Sequence, residues 1–238
     1  GTYWIVLGFV AWMIMPTIGG LITSPALWEI LSASSFSAKT WTYIYGFLWG
    51  FGGLLAGLGL RYLGLALGQS ICLGVSAIVG TIVPAVMQDK IALLFTTASG
   101  AVILTGFIIC IAGVACCGYA GILKDRMLSD ADKRASVKEF SAFKGFIMAL
   151  MGGVLSACMA FAITAGAPIA RQAAQMGTDA VFVNIPIFVL ALAGGFTSNL
   201  IYNLITSFKN KTFGDYIITS RKTLARNYFL AFLSGLMW

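Results

Sequence analysis

Few side chains in this sequence are suited to covalent catalysis. Histidine is absent, the serines are isolated, and none of the eight acidic residues lies well inside an apolar segment. Nucleophilic catalysis needs a serine or cysteine beside a base, and general acid–base catalysis needs positioned titratable groups. The five cysteines lack zinc-type spacing and histidine partners, so we interpret them as small core residues. The sequence therefore predicts no enzyme, no metal site and no cofactor.

Polar and aromatic side chains inside the apolar segments are better suited to reversible binding. The candidate site residues are Tyr45, Trp49, Gln69, Ser76, Asn199 and Asn203. The two aromatic residues lie one helical turn apart, the glutamine and the serine share a helix face, and the two asparagines form an i, i+4 pair. In a bilayer such side chains either join neighbouring helices or contact a solute, and both interpretations remain open at this point.

These residues belong to segments that are rich in glycine as well as in apolar side chains. Within and just before the stretch WGFGGLLAGLGLRYLGLALGQSICLG, three glycine pairs have small-xxx-small spacing: Gly46 and Gly50, Gly53 and Gly57, and Gly64 and Gly68. Glycine in a water-exposed helix costs up to about 1 kcal/mol relative to alanine, whereas membrane helices use small residues to approach closely. The chain is 59% hydrophobic and 10% charged, with a mean hydropathy of +0.93. The composition predicts an all-α, polytopic membrane protein.

At about 20 apolar residues per crossing, the sequence predicts seven membrane spans. Six run from Tyr3 to Thr23, Trp41 to Leu60, Tyr62 to Met87, Thr96 to Gly118, Phe143 to Gly166 and Val181 to Phe208. A seventh begins near Leu224 and is cut short at Trp238. Because the sequence begins without methionine and ends inside this apolar run, we expect it to be a piece of a longer protein.

The basic residues are distributed unequally between the two sides that the connections define. One side receives Lys39, Lys90 and Arg171, and the other receives the remaining twelve. By the positive-inside rule the second side is cytoplasmic, and it includes the polar connector Lys124–Lys144. This topology accounts for the net charge of +7, so nucleic acid is not an expected partner. We expect a multi-pass protein of the inner (plasma) membrane, surrounded by the lipid bilayer.

Four motifs carry a resemblance to a known family. In chain order they are YGFLWGFGGLLAGLGLRYLGLALG, IVGTIVPAV, LSACMAFAITAGAP and SGLMW. Together they resemble the L-rhamnose/proton symporter family of the drug/metabolite transporter superfamily over essentially the whole chain. The most specific part is Trp-Gly-x-Gly followed by Leu-x-x-Arg-Tyr-Leu-Gly. The resemblance implies proton-coupled uptake of L-rhamnose or a related monosaccharide; the alternative is another metabolite or drug carrier of the same superfamily.

The resemblance also implies a ten-helix plan made of two inverted five-helix halves. On this plan residues 1–123 supply helices two to five, 124–144 the cytoplasmic connector, and 145–238 helices six, seven and the start of eight. The segments GFLW (Gly46–Trp49) and GLMW (Gly235–Trp238) would be equivalent positions that enter the membrane from opposite sides. Substrate would bind between the halves near the middle of the bilayer, and alternating access would expose it to each side in turn.

A sugar has hydroxyl groups and a C–H face, so the resemblance gives the candidate residues a specific role. The aromatic side chains would flank the sugar ring, and the amides and the serine would bind its hydroxyls. Proton coupling needs an ionisable group in the path, yet Glu29, Asp89 and Asp179 belong to external connections and the other acids to cytoplasmic ones. The carrier is therefore expected in helices outside this sequence or at an external acid such as Glu29, unless another cation is coupled.

Overall fold

All regular secondary structure in the described part of the chain is helical. The computed structural model describes residues 3–127, 141–216 and 220–238. The helices are α1 (Trp4–Thr23), α2 (Leu27–Ala33), α3 (Phe36–Leu63), α4 (Leu65–Met87), α5 (Leu93–Thr96), α6 (Ala98–Met127), α7 (Ala142–Ser156), α8 (Cys158–Ala165), α9 (Ala167–Gln175), α10 (Ile185–Asn210) and α11 (Arg221–Met237), with a 3-10 turn at Phe213–Tyr216. The prediction of an all-α fold is confirmed.

Six segments are long and apolar enough to cross a membrane. They are Trp4–Thr23, Phe36–Leu63, Leu65–Met87, Ala98–Ala120, Phe143–Gln175 and Ile185–Asn210. Each overlaps one of the six complete spans predicted from the sequence, so the polytopic membrane fold is confirmed as well. The seventh predicted span corresponds to α11, which is helical but has 17 residues, fewer than the about 20 that a crossing typically takes.

The predicted span Phe143–Gly166 is longer and less regular than the sequence indicated. Three helices, α7, α8 and α9, follow one another with single residues between them, and the candidate span continues through α9. Gly166 permits a close contact, because a Cβ atom there would lie 2.7 Å from Cγ2 of Ile187. Pro168 lies in the first turn of α9, where its missing N–H is tolerated. Arg171, predicted in an external connection, is instead an exposed residue of this helix.

A π-helical turn, Val10–Ile14, interrupts α1. Pro16 follows it, and proline has no N–H to donate to the carbonyl of Trp12 four residues earlier, while its ring crowds that carbonyl. A wider turn relieves this crowding. The hydroxyl of Thr17 then donates to the carbonyl of Met13 at 2.6 Å. The irregular turn therefore has a local cause in the sequence.

Packing divides the chain into two compact units. The first unit comprises residues 1–50 and 162–238, and the second comprises residues 51–161. Fully buried apolar side chains form the core of the first unit: Leu27, Ile30, Ile169, Ala173 and Ile187. A smaller buried cluster forms that of the second: Leu63, Ile71 and Ala149.

This division is of a different kind from the halves predicted from the sequence. The predicted boundary at residues 124–144 follows membrane topology and an internal repeat, whereas the two units follow contacts between helices. The division into topological halves stays a prediction. Residues 128–140 of the connector lie outside the described residues.

The glycine pair Gly46 and Gly50 brings α3 against α10 in the first unit. A Cβ atom on Gly46 would overlap the carbonyl oxygen of Ala191, and one on Gly50 would overlap the hydroxyl oxygen of Ser198. The two helices therefore approach to a distance that a larger side chain on α3 would prevent, as the small-xxx-small spacing predicts.

The other two glycine pairs have different roles. Gly53 and Gly57 face open space, since a Cβ atom on either would meet no atom within 4 Å. Gly64 has a φ of +83° between α3 and α4, so it serves the chain reversal rather than helix packing. Gly68 lies against the backbone of Gly59 in the second unit.

The contrast within α3 gives a matched test of this packing. We expect Gly46→Ala to lower the free energy of unfolding by about 1–3 kcal/mol, because the added methyl group forces α3 away from α10. Gly53→Ala, on the same helix, should leave stability unchanged or raise it by up to about 1 kcal/mol, because alanine has the higher helix propensity. Thermal unfolding of the purified protein in detergent measures both, and equal effects would contradict the close contact.

Candidate functional site

Four tryptophans of the first unit form an aromatic group with Trp12 at its centre. Trp12 has its ring centroid 5.8 Å from that of Trp49, 5.5 Å from that of Trp238 and 6.2 Å from that of Trp4. Trp49 and Trp238 are 6.2 Å apart. All four pairs meet edge to face, the arrangement that aromatic quadrupoles favour. We call these four residues the indole cluster; they come from α1, α3 and the end of α11.

Two glycines, Gly195 and Gly235, determine the position of the indole cluster. A Cβ atom on Gly195 of α10 would lie 2.6 Å from Cζ3 of Trp49, so the glycine provides the surface on which this indole rests. A Cβ atom on Gly235 of α11 would lie 2.7 Å from Cβ of Val10, which brings the chain before Trp238 against α1. Glycines on two helices thus determine how closely the indoles meet.

The amide of Asn199 joins three helices beside the cluster. Its Oδ1 accepts a hydrogen bond from Nε1 of Trp4 at 3.2 Å. Its Nδ2 donates to the carbonyl of Gly50 at 3.3 Å and to that of Gly195, in its own helix, at 3.0 Å. Asn199 is only 5% exposed, so its polar atoms need these partners. α1, α3 and α10 are consequently connected by one side chain.

Trp12 differs from Trp4 in its hydrogen bonding. It is 4% exposed, and its Nε1 has no hydrogen-bond partner among the described residues. In the described part of the chain two hydroxyls, those of Ser24 and Thr178, are also buried without a partner. A buried donor without an acceptor costs about 1–3 kcal/mol, so this position needs an explanation.

The structure brings some of the predicted site residues together. Trp49 and Asn199 lie around Gly195, and Nδ2 of Asn203 donates to the backbone carbonyl of Asn199 at 2.8 Å. Tyr45 has its ring centroid 5.6 Å from that of Trp41.

The remaining two predicted residues belong to the second unit. Gln69 is exposed and Ser76 is half-buried, and both lie on α4. A binding role for each of the six residues stays a prediction.

Sequence reasoning missed Trp4 and Trp12. Trp238 entered it only as part of the repeated Gly-x-x-Trp segment. Trp4 and Trp12 are eight residues apart, whereas side chains that contact each other along a helix are usually three or four residues apart. Pro16 was the available signal, since a proline within an apolar span marks an irregular turn and such turns are common at functional sites.

No acidic side chain whose placement is described lies in a candidate span. Glu29, Asp89 and Asp179 are exposed and lie in the connections, as the sequence predicted. Among the described residues no three His, Cys, Asp or Glu side chains are grouped so as to hold a metal ion. The described part of the site is therefore built from indoles, amides and backbone carbonyls.

The six apolar helices that are long enough to cross a membrane define the class: this is a polytopic membrane protein. Comparison with known proteins then identifies the family. The model of the L-rhamnose-proton symport protein (RhaT) family matches residues 1–238, and the chain belongs to this family. The family consists of transporters, which confirms the prediction that the chain is not an enzyme.

Individual relatives agree with the family match. The chain is 32% identical to the L-rhamnose-proton symporter of Yersinia pestis bv. Antiqua (strain Antiqua) over 239 residues, covering 100% of the chain and 68% of the relative. The protein of the same name from Yersinia pseudotuberculosis serotype O:1b (strain IP 31758) has the same identity and coverage. No solved structure matches the chain significantly.

The Asn199 bridge leads to a test of stability. Asn199→Ala leaves the indole N–H of Trp4 and the carbonyl of Gly50 without their partner, and we expect a loss of about 1–3 kcal/mol in the free energy of unfolding. Asn203→Ala is the matched control, because its described side-chain bond stays within one turn of α10. Chemical unfolding in mixed micelles measures both variants. In an Asn199→Ala background, Trp4→Phe should cost little more; full additivity would mean that the two side chains are not coupled.

Proposed function

We propose that this chain takes part in proton-coupled uptake of L-rhamnose or a related monosaccharide by alternating access. Membership of the L-rhamnose-proton symport protein family supports the transported solute and the coupling ion. The observation on this chain that carries the proposal is the indole cluster beside the Asn199 amide, in which Trp12 and Asn199 are buried and belong to candidate membrane spans.

The chemistry of this group suits a monosaccharide. The C–H face of a pyranose packs on aromatic rings, while its hydroxyls need donors and acceptors of hydrogen bonds. Binding sites for small molecules combine apolar walls with a few positioned polar groups. Trp49, with Trp12 and Trp238, supplies the walls, and Asn199 and Asn203 supply amides. A neutral group without embedded charge also suits an uncharged solute.

The two Gly-x-x-Trp segments support an inverted repeat, on which alternating access depends. Gly46 contacts α10 at Ala191, and Gly235 contacts α1 at Val10. Trp49 and Trp238, the last residues of the two segments, both have their rings against Trp12. Each glycine thus makes a close helix contact, and the tryptophan three residues later enters the indole cluster. A sugar site that both segments line would change shape when either segment moves.

Uptake measurements test the proposal. Membrane vesicles that contain the protein and are alkaline inside should accumulate labelled L-rhamnose, and an uncoupler should abolish the accumulation. Trp49→Ala should lower the ratio kcat/KM about tenfold or more, since a loss of about 1.4 kcal/mol in binding is a factor of ten. Trp28→Ala is the control, because this residue is 59% exposed and lies on α2, outside the candidate spans.

Two outcomes would contradict different parts of this proposal. A folded protein that takes up no L-rhamnose would exclude this sugar as the solute. Uptake that is insensitive to the pH gradient would exclude proton coupling.

The proposed orientation in the inner membrane has its own test. Lys90 follows the span Leu65–Met87, and Lys209 is the second-to-last residue of the span Ile185–Asn210; both are exposed, and they are predicted on opposite sides. With Lys90→Cys, a membrane-impermeant maleimide should label intact spheroplasts; with Lys209→Cys, it should label only inside-out vesicles. The unmodified protein, whose five cysteines all lie on helices, is the background control. Labelling of both variants from the same side would contradict the topology.

A further inference from the structure

The indole N–H of Trp12 is the feature of the cluster that its packing does not explain. Trp12 is 4% exposed and its Nε1 has no acceptor, although the N–H of Trp4, in the same cluster, is bonded to Asn199. The two hydroxyls without partners, on Ser24 and Thr178, are a different case because a hydroxyl hydrogen rotates to suit its surroundings. An indole N–H has a fixed direction in the ring plane. It is satisfied only by an acceptor that comes to it.

The backbone at Trp12 is irregular as well. The residue lies at the centre of the π turn Val10–Ile14, where the i→i+5 pattern replaces that of an α-helix. Such a turn changes the direction in which its side chains leave the helix. The π turn thus carries a buried donor to which no described residue offers an acceptor. π turns are frequent at functional sites, and a buried polar group without a partner calls for an explanation.

The ring contacts of Trp12 limit how a ligand could reach its N–H group. Its centroid is 5.8 Å from that of Trp49 and 5.5 Å from that of Trp238, which are distances of direct aromatic contact. A pyranose ring does not fit between indoles that touch one another. A sugar therefore has to displace the Trp49 or the Trp238 ring from Trp12 and take its place. The group that replaces an indole at Trp12 can then supply the missing acceptor.

We propose that Trp12 is a substrate-binding residue whose indole N–H donates a hydrogen bond to an oxygen of the bound monosaccharide. The inference rests on the proposed function of the same site and adds a named donor to it. The ligand oxygen is a hydroxyl or the ring oxygen of a pyranose that packs on the remaining indoles. In the empty cluster the donor is unsatisfied, and sugar binding satisfies it. The polar contact is therefore gained only with a ligand that carries a correctly placed acceptor.

Two replacements remove the N–H while keeping an aromatic ring. Trp12→Phe is the genetic one, and incorporation of 3-benzothienylalanine at position 12 keeps the size of the indole and replaces N–H by sulfur. We expect either change to raise the dissociation constant for labelled L-rhamnose about fivefold to tenfold, the size of one net hydrogen bond. Trp28→Phe, on the exposed surface of α2, should leave the constant unchanged. Unfolding of the benzothienyl protein without sugar should need no less denaturant than that of the parent, since the removed donor had no partner.

A panel of L-rhamnose analogues separates a direct contact from an indirect effect. Each analogue lacks one hydroxyl, or has carbon in place of the ring oxygen. In the parent protein, the analogue without the accepting oxygen should bind about fivefold to tenfold more weakly than L-rhamnose. In the benzothienyl protein this difference should vanish for that analogue and persist for the others, as a double-mutant cycle requires for a direct pair.

The outcomes distinguish this inference from the proposed function. If the folded parent protein binds no L-rhamnose, the proposed function is wrong. If the parent binds L-rhamnose and the benzothienyl protein binds it equally well, the Trp12 inference alone is wrong, and its N–H faces only the neighbouring rings. A uniform loss across all analogues would also overturn it, since that pattern indicates a change in the shape of the cluster.

Discussion

The contact between α3 and α10 at Gly46, Gly50 and Gly195 is the constraint on which the candidate site depends. Because these positions lack side chains, the backbones approach closely enough for the amide of Asn199 to reach the carbonyl of Gly50. The same closeness lets the ring of Trp49 rest on Gly195. In hydrocarbon there is no hydrophobic force to drive helices together, so shape and interhelical hydrogen bonds decide where they meet. A glycine contact and an amide bridge here reinforce one another.

The site combines a satisfied and an unsatisfied donor from the same helix. The N–H of Trp4 is fixed to Asn199, whereas that of Trp12, eight residues later and within a π turn, has no acceptor. The first connects α1 to the α3–α10 pair and gives the cluster its position. The N–H of Trp12 makes no hydrogen bond to a described residue that would give it a structural role. With the binding role proposed for Trp12, stability and binding would belong to different indoles of one cluster.

Much of the fold could be predicted because the bilayer restricts the chain to apolar helices. The six complete spans followed from hydropathy, and the contact at Gly46 and Gly50 followed from their spacing. The site was less accessible to this reasoning. Asn199 and Trp49 could be selected because each is a polar or aromatic side chain within a span. Trp12 could not be selected in this way. It is distinguished by ring contacts with residues 37 and 226 positions away, and no local sequence pattern predicts such contacts.

The two Gly-x-x-Trp segments resemble each other in their contacts as well as in their sequence. In each, the glycine makes a backbone contact with a different helix, α10 for Gly46 and α1 for Gly235, while the tryptophan three residues later reaches Trp12. Trp12 therefore contacts both segments, each of which is positioned by a close glycine contact with its own partner helix. Small residues let membrane helices approach closely, so each glycine contact determines where the tryptophan that follows it can lie. On the proposed alternating-access mechanism, the indole cluster would be the central site at which the two segments meet.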